Sequence, residues 1–183
     1  MLWILLIIVV LIVLFIISVY NNLVTLKQRA KNSFSQMDVQ LQRRFDLIPN
    51  LVETVKGYMT HESDTLAKVT ELRTAWAGAK TVDEKAKLDN ELSNTLKTIM
   101  AVAEAYPDLK ANQNFESLQN ELTETEDKIS YSRQFYNDTV TKYNTKLELF
   151  PSNIVAGMFH FTAESLFEVD SAEARKNVKV DFN

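Results

Sequence analysis

The chain has no cysteine, and only three glycines, three prolines and two histidines in 183 residues. Each scarcity removes a class of chemistry. Without cysteine there is no disulfide, no thiolate nucleophile and no lipid-modified cysteine, and the count fits a reducing compartment. The glycines, Gly57, Gly78 and Gly157, are too scattered to build a phosphate-cradling loop, and no Gly-x-Ser-x-Gly occurs. Neither His61 nor His160 has a Glu three residues before it, and His61-Glu62 is not followed by a second His. The di-metal motif of helical bundles and the zinc-protease helix motif are therefore both missing, and no metal or cofactor site is expected. So few turn-forming residues predict few, long elements, and hence an all-α fold.

Charge is missing too, but only locally. The first 26 residues carry no charged side chain, the first charge is Lys27, and residues 1–17 are unbroken apolar sequence. About 20 apolar residues, rising 1.5 Å each, cross a hydrocarbon core of roughly 30 Å. Residues 1–20 are thus expected to be a transmembrane anchor contacting lipid, with Tyr20 at the interface. A cleaved signal and a buried core helix are the other readings. The missing basic n-region and the missing Ala-x-Ala-like site in 18–26 speak against the first. Residues 27–60 then carry six bases and three acids, and residues 61–183 carry 14 bases and 21 acids. The positive-inside rule puts the C-terminal body in the cytoplasm and the N-terminus outside, as a single-pass protein. Lys27, Arg29 and Lys31 are candidate contacts for an anionic leaflet. The acidic distal part has no dense basic stripe and predicts no nucleic-acid partner.

Beyond the anchor, apolar positions recur three or four apart. The first helix is expected to continue from the anchor to about Asp46, with Leu23, Leu26, Ala30, Phe34, Met37, Leu41 and Phe45 on one face. Asp46 is the expected N-cap of a second helix that has Pro49 in its first turn and runs to about Ala77, with Gly78 as its C-cap. A third helix covers about 83–104, with Leu88, Leu92, Leu96, Ile99 and Ala103 on one side, and Tyr106-Pro107-Asp108 stops it. The last long helix covers about 112–149. Its stripe is Phe115, Leu118, Leu122, Thr125, Ile129, Ser132, Tyr136, Val140, Tyr143, Leu147 and Phe150, close to heptad spacing. Phe135, Tyr136, Tyr143 and Phe150 are read as core. A short helix is expected at 154–159, and segments 165–169 and 178–182 look extended. The organisation that follows is an anchor at 1–20, an antiparallel four-helix bundle at 21–160 and a partly extended tail at 161–183.

A few polar residues interrupt these stripes or border their gaps. Glu62 sits in the second helix, Glu126 and Arg133 lie seven apart in the last, and Arg43 and Arg44 end the first. Buried charge must be paired. The expectation is a polar layer of Glu62, Glu126, Arg133 and one of Arg43 and Arg44 that fixes helix register. An outward, solvated orientation is the plainer alternative. Asn137-Asp138-Thr139 matches a glycosylation sequon but falls inside a helix and is read as chance.

Several ordered motifs resemble the LemA family. They are Arg43-Arg44-Phe-Asp-Leu-Ile-Pro-Asn-Leu-Val52, Gly57-Tyr-Met-Thr-His-Glu62, Ala105-Tyr-Pro-Asp-Leu-Lys-Ala-Asn112 with Phe115, Glu126-x-x-Ile129-x-x-x-Arg133, Tyr136-Asn137, Tyr143-Asn144, Phe150-Pro-Ser-Asn153 and Val178-Lys-Val-Asp-Phe182. The resemblance covers about 19–182. It implies a bacterial inner-membrane protein with one N-terminal span and a cytoplasmic helical bundle, in a family without an established enzymatic activity. One branch of that family is associated with magnetosome membranes.

The leading functional expectation is a non-enzymatic interaction or scaffold module held at the membrane, binding an unidentified membrane-associated protein. Residues 27–31 and 106–114 are its candidate docking surfaces. A self-assembling homo-oligomer is the second reading, and a ligand-binding sensor or enzyme built on the polar layer is the third.

Overall fold

Seven helices and no strand form the regular structure of residues 1–59 and 61–168, the residues that the computed structural model describes. They are α1 (Leu2–Asp46), α2 (Ile48–Lys56), α3 (Ser63–Gly78), α4 (Val82–Ala103), α5 (Pro107–Lys110), α6 (Gln113–Glu148) and α7 (Ser152–Met158). The chain is all-α, as composition predicts. Residues from Val169 onward, including the expected extended segment 178–182, lie outside the described residues.

The helices fall into two compact units. The first is Met1–Leu47 with Ser117–Leu166. Its frame is α1 and most of α6, running antiparallel: Phe34 of α1 meets Tyr136 of α6 with ring centroids 5.5 Å apart, and Arg44 meets Glu126. α1 is one helix of 45 residues, about 68 Å long at 1.5 Å per residue. Its apolar side chains are exposed through residue 15 and Ile16 is half-buried; from Val19 onward a buried stripe begins, with Leu23, Ala30, Met37, Leu41 and Phe45 inside. Leu26 and Phe34 are half-buried. In α6, Leu118, Leu122, Thr125, Ile129, Tyr136, Val140 and Tyr143 are buried as the heptad spacing predicts. Phe135 and Phe150 are exposed instead of core. Phe135 lies off the stripe, one position before Tyr136. Phe150 lies past the last turn of α6, where helical spacing no longer aims the side chain.

The second unit is Ile48–Glu116 with Phe167 and Glu168. Leu47 is the single non-helical residue between α1 and α2. Pro49 requires this joint: it has no N–H for the Phe45 carbonyl, and its ring would strike that carbonyl in a continuous helix. Asp46 is the last residue of α1 rather than an N-cap, and its carboxylate accepts a 2.8 Å hydrogen bond from Gln42 Nε2. The expected second helix is two helices. Gly57 disfavours helix by about 1 kcal/mol relative to alanine, and the chain leaves the helix there. The Tyr58 and Met59 amides both close on the Val55 carbonyl. Met59 is buried, and the Tyr58 hydroxyl accepts a 3.1 Å hydrogen bond from Asn112 Nδ2.

α3 and α4 form an antiparallel hairpin, with Lys68 3.5 Å from Glu91 and Lys85 over the Trp76 ring. Thr81 caps α4 in a capping box. The Glu84 amide donates to its hydroxyl at 3.2 Å, and the Glu84 carboxylate accepts from the Thr81 and Lys80 amides at 3.0 and 2.8 Å. The buried side of α4 carries Ala86, Asp89, Leu92, Leu96, Ile99 and Ala103, so Leu88 is only half-buried and Asp89 holds the position expected for it. Asn112 opens α6 by accepting from the Asn114 and Phe115 amides at 2.9 and 3.2 Å.

Candidate functional site

Two places in the first unit combine polar chemistry with burial. The first is the predicted polar layer. Arg44 is 4% exposed, and its Nη1 lies 2.7 Å from Glu126 Oε2. The separation is that of a hydrogen bond but the angles are not, so the contact is ionic. Successive helix residues are about 100° apart around the axis, so only one of Arg43 and Arg44 can face inward, and Arg43 is exposed. Arg133 is half-buried and stands about 10 Å further along α6, outside the pair. Glu62 belongs to the second unit, half-buried as the residue before α3, where its carbonyl accepts from the Leu66 amide at 3.2 Å.

The second place is the end of α6 with the chain that follows it. After α7, residues 161–166 run back along α6 as an extended strap. The Tyr143 hydroxyl donates to the Thr162 carbonyl at 3.0 Å, and the Tyr136 hydroxyl donates to that of Ser165 at 2.7 Å. The Asn144 amide pairs with the Glu164 backbone in both directions, at 2.9 and 3.0 Å, as a strand neighbour would. Lys27 of α1 joins the same strap through Glu164 at 3.4 Å. Burial first, and the Glu164 charge second, push the Tyr143 hydroxyl above its usual range. In the second unit, Asn90 Nδ2 donates to the Glu168 carbonyl at 3.2 Å, and Phe167 is buried.

The turn into α7 is closed from within. The Ser152 hydroxyl lies 2.7 and 2.8 Å from the Lys146 and Leu149 carbonyl oxygens at the C-terminal end of α6. α7 ends in a Schellman motif. The His160 amide donates to Gly157 and the Phe161 amide to Ala156, with His160 at a φ of 55°. Phe161 packs with Val155 and Ala156 of α7 and Val19 and Leu23 of α1, and Ile16 and Leu147 border the cluster. The Tyr20 ring packs in a tilted arrangement on Phe159 at 4.7 Å and edge-on against Phe161 at 5.7 Å.

Of the predicted lipid contacts, Arg29 and Lys31 are exposed and Lys27 is half-exposed in its ion pair. Both histidines are exposed. No group of three or more His, Asp or Glu side chains able to hold a metal occurs among the described residues. An open cleft of about 500 Å³ between α3 and α4 is lined by mixed charge, including Lys68, Glu71, Glu84 and Lys87. Asp89, 1% exposed and held by a polar contact, was not anticipated from sequence. The strap was not anticipated either. The Tyr143-Asn144 and Tyr136-Asn137 pairs were visible as motif residues, but their partners lie about 20 to 30 positions away.

A sequence profile of the LemA family matches residues 33–182, most of the chain. The chain belongs to the LemA family. Protein LemA of Metamycoplasma hominis is 25% identical over 155 residues, covering 84% of this chain and 70% of that protein. Magnetosome protein MamQ 2 of Paramagnetospirillum magneticum is 26% identical over 175 residues, and MamQ of Magnetospirillum gryphiswaldense is 22% identical over 174. Each of these two matches covers 81% of this chain but only 64% of the magnetosome protein. The contacts between the strap and α6, the α2–α3 break and the Arg44–Glu126 pair all lie inside the region that matches the LemA family.

Proposed function

We infer that this LemA-family protein is a single-pass membrane protein that works by position, as an interaction or scaffold module at the membrane surface, and not by catalysis. The observation that carries the reading is the continuity of α1. The apolar stretch, the basic stretch and the packing stripe are one helix without a linker. A body fixed to its anchor in this way is held at the bilayer, which raises its effective concentration toward partners there. Relatives named as LemA and as magnetosome proteins accord with a membrane-associated helical protein. The cluster Lys27, Arg29 and Lys31 favours a body on the cytoplasmic side against anionic lipid.

The test is crosslinking of the tagged full-length protein in its native membrane, followed by mass spectrometry. Stoichiometric recovery of one heterologous membrane-associated protein is expected. Ladders of the protein alone would replace this reading with self-assembly. That second reading is favoured by Tyr131 and Phe135, exposed one turn apart on α6. Turnover of a bound small molecule by the purified protein would sink both.

A further inference from the structure

The exposed apolar residues beyond the first helical stretch are not spread evenly. Val39 and Leu166 lie elsewhere and Tyr131 and Phe135 form one pair on α6, whereas Leu149, Phe150, Ile154, Met158 and Phe159 fall within one stretch of 11 residues at a corner of the first unit. Phe150 is 79% exposed. The whole stretch 149–159 carries no charged side chain. Such a corner in water would be an anomaly, since loops that face water show polar groups and contiguous apolar patches mark an interaction surface.

The position of the corner on α1 names what covers it. α7 packs against α1 at Val19 and Leu23 with Ile16 alongside, and the Phe159 ring lies tilted against Tyr20. The apolar stretch ends at that level. From Leu2 to Tyr20 the helix rises about 28 Å, close to the roughly 30 Å of a hydrocarbon core. Tyr20 therefore marks the hydrocarbon–headgroup boundary, and α7 lies against α1 at that boundary. The inner side of the corner is buried through Ser152, Val155 and Ala156. Its backbone is also prepared for a site poor in water. The Ser152 hydroxyl lies against the Lys146 and Leu149 carbonyls, the Asn153 amide also closes on Leu149 at 2.8 Å, and the Schellman bonds close the other end. Polar groups turned inward and apolar chains turned outward are the arrangement required in lipid.

We propose that the turn 149–151 and α7 form a second membrane contact, an interfacial wedge whose Phe150, Ile154, Met158 and Phe159 enter the acyl boundary beside the anchor. The occupant of the surface is the bilayer. The wedge would fix the tilt and rotation of the body on the membrane, which a lone helix leaves free. Lys27, Arg29 and Lys31 follow at about 10 to 17 Å beyond Tyr20, at headgroup depth. This inference rests on the membrane-anchored reading above.

The absence of native cysteine makes single-site labelling direct. Phe150→Cys, Met158→Cys, Ile8→Cys and Asn120→Cys, each in the full chain, are labelled with an environment-sensitive fluorophore. They are then reconstituted into phosphatidylcholine–phosphatidylglycerol vesicles with or without nitroxide-bearing lipid. The labels at 150 and 158 should lose emission to nitroxide lipid as the label at 8 does, and resist aqueous iodide. The label at 120, roughly 40 Å along α6, should show the reverse. Quenching at 8 but not at 150 and 158 overturns the wedge and leaves the anchor standing. Loss of quenching at 8 overturns the anchor and the wedge together. Labels at 150 and 158 shielded from both quenchers would mean a protein covers this surface, and would also overturn the wedge.

Discussion

The α3–α4 hairpin and the α1–α7 corner are both made of amphipathic helices, yet they finish with opposite surfaces. In the hairpin, Leu66, Val69, Leu72, Trp76, Leu92, Leu96 and Ile99 are buried, and Lys68, Glu71 and Glu91 stand outside. No large apolar side chain is exposed among the described residues of 48–116. In the corner, a cluster of Val19, Leu23, Val155 and Ala156 is buried, and Leu149, Phe150, Ile154, Met158 and Phe159 are exposed. The hairpin is complete in water. The corner is complete only if its outer face has something other than water against it.

The largest expected effect separates the two directly. Leu92→Ala in the hairpin should cost about 2–5 kcal/mol, the range for a fully buried leucine. Ile154→Ala in the corner should stay within about 0.5 kcal/mol, read by urea denaturation of the detergent-solubilised chain. Equal costs would make the corner an ordinary core and dissolve the contrast. Next comes the internal charge. Glu126→Gln leaves the buried Arg44 guanidinium with a neutral neighbour and should cost about 1–3 kcal/mol. Glu126 is 44% exposed at its side chain, so the upper range for fully buried pairs does not apply. An unchanged melting temperature would show the pair to be solvated.

The strap gives a smaller effect with a pH signature. Tyr143→Phe removes one hydrogen bond and should cost about 0.5–1.5 kcal/mol. The folded hydroxyl titrates above its ordinary 10.0. Its contribution is therefore complete below pH 10 and is lost as the pH rises through the raised value. The wild type should lose stability in that alkaline range more steeply than Tyr143→Phe, and superimposable curves would contradict the assignment. The smallest effect belongs to the exposed cap. Glu84 is held below its ordinary 4.5, chiefly by the Lys80 amide and then by the Thr81 amide. Its support for the start of α4 is present above that pH and fades as the pH falls through the lowered value. Amide protection near Lys85, corrected for the intrinsic exchange rate at each pH, should fall on acidification in the wild type and be nearly flat in Glu84→Gln.

Most helix boundaries were legible because their signals are local. Pro49 reads as a first-turn residue wherever it stands, and an apolar repeat at three and four fixes a face of α6 without knowledge of its neighbour. The α2–α3 break was less legible. Gly57 raises the cost of helix there, but Gly78 ends a helix while Gly157 sits inside one. What separates the cases is a tie from Tyr58 to Asn112, 54 residues away. The polar layer was half-legible. The need for a partner follows from Arg44 itself, but the choice of Arg44 over Arg43 follows from how α1 is rotated against α6. Asp89 was missed because a carboxylate one position from Leu88 looks like an outer residue until the helix is turned.

The sequence by itself determined that this protein is helical, that its first helix is apolar enough to cross a bilayer, and that it belongs to the LemA family. Composition, period and motif order are properties of the chain alone. Tertiary structure decided which charge is buried with Glu126, that residues 161–166 lie along α6, and that Phe150 stays exposed while Phe159 sits against Tyr20. Each of these depends on which surface covers a residue, and solvent exclusion is a property of the folded arrangement, set by chain segments far apart in sequence.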